Sequence, residues 1–136
     1  MLDHVGFPVS DFARSRAFYE AVLKPLGFGV VMEVTAAETG GEEHCGFGRD
    51  FKPSFWIGTG TPLSGRLHVA FQAADHAAVD AFYQAAMSLL APDNGPPGYR
   101  PHYHPNYYAA FVLDPDGHNI EAVCHAPVGA APGLTA

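Results

Sequence analysis

Residues 2–9 alternate: Val5, Phe7 and Val9 fall on one side of an extended chain, and His4, Gly6 and Pro8 on the other. Asp11 then stands where a helix N-cap belongs, before a pattern that runs to about Leu23 with Phe12, Phe18, Tyr19, Val22 and Leu23 on its apolar face. Three short strands are predicted over 27–34, 43–48 and 52–57, punctuated by Gly40, Gly41 and Pro53. A Gly/Pro-rich stretch at 59–65 reads as a linker. Beyond it the pattern restarts. Leu67, Val69, Phe71 and Ala73 share one face of a strand, and His68, Ala70 and Gln72 the other. Asp75 caps a helix whose apolar positions are Val79, Phe82, Tyr83, Ala86, Met87 and Leu90. A turn-rich stretch over 92–105 precedes strands near 107–113 and 118–124, joined by the hairpin turn Asp114-Pro115-Asp116-Gly117.

The restart is a repeat. Sliding the chain by 64 positions lays 4–21 on 68–85 with 9 of 18 residues identical and no gap. His4-Val5-Gly6-Phe7 falls on His68-Val69-Ala70-Phe71, and Ala17-Phe18-Tyr19 on Ala81-Phe82-Tyr83. A fixed internal period marks a fold built of similar units. The prediction is an α+β protein of two tandem βαβββ modules, about 1–58 and 66–125, forming one domain over 1–126 with a loose tail over 127–136. The helix of each unit must cover one sheet face, and the apolar odd-numbered residues of the leading strands supply it.

At 136 residues with 48% hydrophobic and 15% charged positions, the chain is long and apolar enough for a packed core. Its net charge of −7, with seven scattered Lys and Arg, argues against nucleic acid or an anionic membrane as partner. No apolar run approaches the roughly 20 residues that span a bilayer. Two cysteines, Cys45 and Cys124, make no disulfide framework. These features, and a strand starting at once with no room for a signal peptide, predict a cytoplasmic protein with buried free thiols.

The alternation places three donors on the uncovered, inner face: His4, His68 and Glu121, the last opposite the apolar Ile120, Ala122 and Cys124 of its strand. A carboxylate inside an apolar strand is costly unless paired. Two imidazoles and one carboxylate suit a divalent transition metal and leave coordination positions open for substrate or water. The stretch from Gly98 to Tyr108 adds Arg100, His102, Tyr103, His104, Tyr107 and Tyr108. Histidine there can act as acid or base, and Tyr rings can line a pocket. The same composition also suits an interface between copies. Phe18, Tyr19, Phe82 and Tyr83 are expected in the core. His76, His118 and His125 are expected to be exposed, and Glu42, Glu43 and His44 to belong to an exposed strand end or hairpin.

The paired modules, the His on each leading strand and the closing run Asp114-Pro115-Asp116-Gly117 to Ile120-Glu121 resemble the vicinal oxygen chelate superfamily. That superfamily includes glyoxalase I, the extradiol dioxygenases, and the fosfomycin- and bleomycin-resistance proteins; the resemblance covers about residues 2–125. It implies a curved mixed sheet around a central cavity, a homodimer, and one divalent ion per site (Fe, Mn, Ni or Zn) on His4, His68 and Glu121. It also implies that His4 of one chain can join His68 and Glu121 of another. The substrate would be a small molecule chelated through vicinal oxygens, in a lyase, isomerase or dioxygenase reaction. His102, His104, Tyr107 and Tyr108 are the candidate catalytic residues, and Arg100, Tyr103, Trp56 and Phe111 the candidate substrate contacts. Two departures stand out. The stretch Ser54-Phe55-Trp56-Ile57-Gly58 lacks the carboxylate of a four-ligand glyoxalase I, and Phe111 stands where extradiol enzymes have a tyrosine. The alternative is a metal-free small-molecule binding protein like the bleomycin-resistance members.

Overall fold

A computed structural model describes residues 1–127; the remainder of the expected tail, 128–136, lies outside the described residues. The first module runs β1 (Val5–Val9), α1 (Phe12–Leu23), β2 (Gly29–Val34), the single turn α2 (Ala36–Thr39), β3 (His44–Arg49) and β4 (Lys52–Thr59). The second runs β5 (His68–Gln72), α3 (His76–Ser88), β6 (Asp93–Tyr99), β7 (Tyr108–Leu113) and β8 (Asn119–Cys124). Each module keeps its own four-stranded mixed sheet, ordered β1-β4-β3-β2 and β5-β8-β7-β6. The leading strands β1 and β5 are outer edges, parallel to β4 and β8.

Local chemistry starts and stops the helices. The Asp11 carboxylate accepts from the Arg14 backbone N–H at 3.1 Å, and the Asp75 carboxylate from Ala78 at 2.8 Å, occupying donors that a helix start leaves free. After α1, a 3₁₀ turn over Lys24–Leu26, with Pro25 second, is ended by Gly27 in the left-handed region at φ 85°. At the matching end of α3 a leucine, Leu90, takes φ 61° instead, and the helix stops at Ser88, short of the expected Leu90.

The two modules share one core. Phe55 of β4 sits at its centre, with ring centroids 5.4 Å from Phe7, 4.9 Å from Tyr19 and 5.1 Å from Phe71 of the second module. Val79 and Phe82 of α3, with Val112 and Ile120, complete it from the other side. The 114–117 turn of the second module locks against α1 of the first. Tyr19 donates its hydroxyl to Asp114 Oδ2 at 2.5 Å. The backbone N–H of Ser10 donates to Asp116 Oδ2 at 3.1 Å, and its hydroxyl to Asp116 Oδ1.

Two expectations change. The stretch read as turns contains β6, although it carries Gly95, Pro96, Pro97 and Gly98. An edge strand needs its N–H groups on one side only, so prolines fit there, and the pairing with β7 absorbs the rest through register shifts. His118 is buried, not exposed, because the turn folds its ring edge-on to Phe7 at 5.5 Å. No helix among the described residues is long and apolar enough to cross a membrane.

Candidate functional site

The open face of the second sheet holds a buried carboxylate. Glu121 lies on β8, between β5 and β7, with Ala70 and Phe111 as its neighbours in register. It is fully buried although it faces away from the helices, because two side chains roof it. His68 Nε2 lies 2.8 Å from Oε1, and Tyr107 donates its hydroxyl to Oε2. Both oxygens are thus satisfied, which is the condition for keeping a carboxylate in an apolar strand. Burial, and then the bond to Glu121, push the Tyr107 phenol well above its ordinary range, so it stays protonated and donates.

The loop before β7 holds Tyr107 in place. Its ring packs against Tyr103, His104 and His125, at centroid distances of 4.9, 5.4 and 5.3 Å. The Asn106 backbone N–H donates to His104 Nδ1 at 3.1 Å, which puts the remaining proton of a neutral His104 on Nε2. That nitrogen lies 2.6 Å from His125 Nδ1, so His104 donates to His125. His125, expected at an exposed end, is half-buried by this contact. Arg100 donates through Nη2 to Pro96 O at 2.7 Å and lies 5.3 Å over the Phe111 ring, which stands 6.2 Å from His68. His102 packs on Tyr103 at 4.2 Å and reaches neither Glu121 nor His68.

Tyr108 is one residue further along and so points to the opposite, helix-covered face. Its hydroxyl donates to Asp80 Oδ1 at 2.6 Å and its ring stacks on His76 at 4.0 Å. Burial and Asp80 push its phenol up to about 12. Its position removes it from the candidate catalytic set. His76, expected to be exposed, is half-buried in the same stack and bonds Ala126 O at 2.8 Å.

The first sheet carries the third candidate donor. His4 is exposed just ahead of β1, with Nδ1 2.7 Å from Asp3 Oδ1. Lys52 Nζ also reaches Asp3 Oδ1 at 2.8 Å, and these two bonds hold the Asp3 carboxyl below its usual range. His4 lines an open hollow of about 720 Å³ with Met32, His44 and Trp56. His44, read from the sequence as part of an exposed strand end, therefore belongs to this face. The available signal was its place in the strand beside that of Trp56. A more enclosed cavity of about 310 Å³, between Phe18, Leu89, Leu113 and Pro115 on the helix side, contains none of these donors.

His68 and Glu121 meet, but His4 does not join them. Among the described residues no three His, Cys, Asp or Glu side chains lie close enough to hold a metal. Alternation assigns a side chain to a face, and here the faces belong to two separate sheets.

A family model described as the Glyoxalase/Bleomycin resistance protein/Dioxygenase superfamily matches residues 1–122. No curated protein sequence is significantly similar to the chain. Among solved structures, a glyoxalase/bleomycin resistance protein from Albidiferax ferrireducens is 28% identical, with 90% of this chain and 97% of that chain covered and a TM-score of 0.66. The fosfomycin resistance protein FosX from Listeria monocytogenes, complexed with Mn(II) and sulfate, is similar at 18% identity, 90% coverage of both chains and a TM-score of 0.65. A glyoxalase I mutant from Zea mays is similar at 20% identity and a TM-score of 0.64, over 90% of this chain and 44% of that one.

Proposed function

We propose a metal-dependent enzymatic function from one premise: the chain belongs to the Glyoxalase/Bleomycin resistance protein/Dioxygenase superfamily. The protein is a divalent-metal enzyme acting on a small molecule through two adjacent oxygens. The ion would rest on His68 Nε2 and Glu121, with His4 of a second copy as the third protein ligand. The observation that carries this reading is Glu121, fully buried in an apolar strand yet presenting both oxygens to donors on the open face. One imidazole, one buried carboxylate and an exposed His4 held through Nδ1 by Asp3 fit a three-ligand ion with open positions. The Mn(II) in the similar Listeria structure supports the choice of a divalent ion.

Such an ion supplies Lewis acidity to a bound oxygen. The chain's own residues do the rest. Tyr107 holds Oε2 and leaves Oε1 directed at the His68 edge. The hydrogen-bonded His104–His125 pair stands beside Tyr107 and fixes its ring, and with it the phenol that holds Glu121. Arg100, braced by Pro96 O and Phe111, presents its remaining N–H donors to an anionic oxygen. One observation favours a second reading, a metal-free binding protein: His68 and Glu121 already satisfy each other at 2.8 Å.

Elemental analysis of the untagged protein beside Glu121→Ala, with the molar mass of both in solution, decides between the two. The expected result is about one ion per chain in a dimeric parent, lost in the variant while the fold persists. An ion-free parent, after each of Fe, Mn, Ni and Zn has been offered, refutes the enzyme reading and favours sequestration of a ligand. A variant that keeps its ion refutes the ligand assignment.

A further inference from the structure

The open face of the first sheet is paved with glycine, and two rings lie across it. Gly6, Gly46 and Gly58 stand on the three adjacent strands β1, β3 and β4. A Cβ on Gly6 would come within 2.9 Å of Trp56 Cβ, its partner in register. A Cβ on Gly46 would stand 2.9 Å from both Pro53 Cβ and Trp56 Cζ2 and 3.0 Å from Trp56 Cε2, so the indole reaches sideways over β3 rather than rising from the sheet. A Cβ on Gly58 would collide with His44 Nδ1, which places that imidazole over β4 in the same way. None of these three glycines has a positive φ. No turn requires them: Gly46 and Gly58 leave room for the two rings, and Gly6 for the stem and backbone of Trp56.

The result is a low shelf of indole and imidazole beside His4, lining the same hollow. Trp56 and His44 are each half-buried, with one side against the sheet and the other toward the hollow. An aliphatic ligand would be served as well by leucine or valine standing on the strand. Two missing side chains, at Gly46 and Gly58, that let two rings lie low make a surface for something flat.

We propose that this shelf is a stacking platform for a planar conjugated ring, so that the molecule held at the site is aromatic rather than an aliphatic vicinal-oxygen compound. The inference rests on the metal reading only for which end of that molecule points toward His4. The ring lies on Trp56 and His44 of one copy, and its adjacent oxygens face His68 and Glu121 of the other.

Trp56 is the chain's single tryptophan, so its indole N–H gives one signal in a nitrogen-edited NMR spectrum. The probes are mandelate and hexahydromandelate, which carry the same hydroxy-acid chelating group on a phenyl or a cyclohexyl ring. Each is titrated into the protein with and without zinc, following the indole signal, with affinity measured in parallel by calorimetry. Mandelate is expected to shift the indole signal and to bind roughly fivefold more tightly than its saturated twin, matching the about 1 kcal/mol of an offset aromatic pair. Gly46→Ala, which props up the indole, and Trp56→Leu, which removes it, should both bring the preference close to one. Equal affinities in the parent overturn the proposal, with or without zinc. So does a preference that survives Trp56→Leu. Failure to bind zinc while the phenyl preference persists counts against the metal reading and supports the shelf.

Discussion

Replacing Tyr19 by Phe tests the joint between the modules. The Tyr19 hydroxyl donates to Asp114 Oδ2 across the seam, and Asp114, almost fully buried, also accepts from the backbone N–H groups of Asp116 and His118. The substitution keeps the ring, so no cavity opens, and one of three donors to a buried carboxylate is lost. A hydrogen bond to a charged group contributes about 1.5–3 kcal/mol, so a loss of about 2 kcal/mol is expected at pH 7. Alkaline pH gives a second reading. Burial, with Asp114 adding to it, raises the Tyr19 phenol well above its ordinary value of 10.0. A raised folded value means that this contribution is fully present below about pH 10 and falls as the unfolded chain ionises above it. The parent should therefore lose about 1.4 kcal/mol between pH 9 and 11 through this one group, a loss that Tyr19→Phe cannot show. Urea unfolding of both proteins at pH 7, 9 and 11 makes the comparison, since the other tyrosines cancel. The gap should narrow toward pH 11. A gap below about 0.5 kcal/mol at pH 7, or one that does not change with pH, would refute the seam as described.

Gly58→Ala drives a methyl group into His44 and should destabilise by about 1–3 kcal/mol; adding His44→Ala should recover most of it, and a double-mutant cycle by urea unfolding showing no coupling would contradict the contact. Cys45 and Cys124 are both buried, and burial pushes the Cys45 thiol up to about 11. Neither should react with a thiol reagent at pH 8 until urea is added, and rapid labelling of Cys45 or Cys124 in the folded protein would show the first or the second sheet, respectively, to be open where it is described as packed.

Much of this architecture was legible because alternation and repetition are strong signals. Phe7 and Phe71 against His4 and His68 divided each leading strand into two faces, and the repeat doubled the weight of each assignment. Glu121 stood out as an acid among Ile120, Ala122 and Cys124. What periodicity cannot supply is distance. It placed His4, His68 and Glu121 on open faces, but said nothing about whether the faces belong to one sheet. Strand β6 was hidden because Pro96 and Pro97 are excluded from central strands and tolerated at edges, and edge position is a tertiary fact. Tyr107 reaches Glu121 because of the loop from Tyr103 to Asn106, whose path no local pattern encodes. The neighbouring Tyr108 was given the same role from composition alone, and one step along a strand reversed it.

The turn that begins at Asp114 has a counterpart 64 residues earlier, at Asp50 and Phe51, and the two play different parts. Asp114 and Asp116 hold the first module, whereas Asp50 and Phe51 sit at φ 50° and 64° with Phe51 turned out to solvent. A duplicated chain begins with two equivalent corners. A corner that holds the halves together has less room to change than its twin, which faces solvent. Mutational tolerance should therefore be unequal between segments of common ancestry, and a map of accepted substitutions would show the copy that became a rivet as a gap in an otherwise symmetrical pattern.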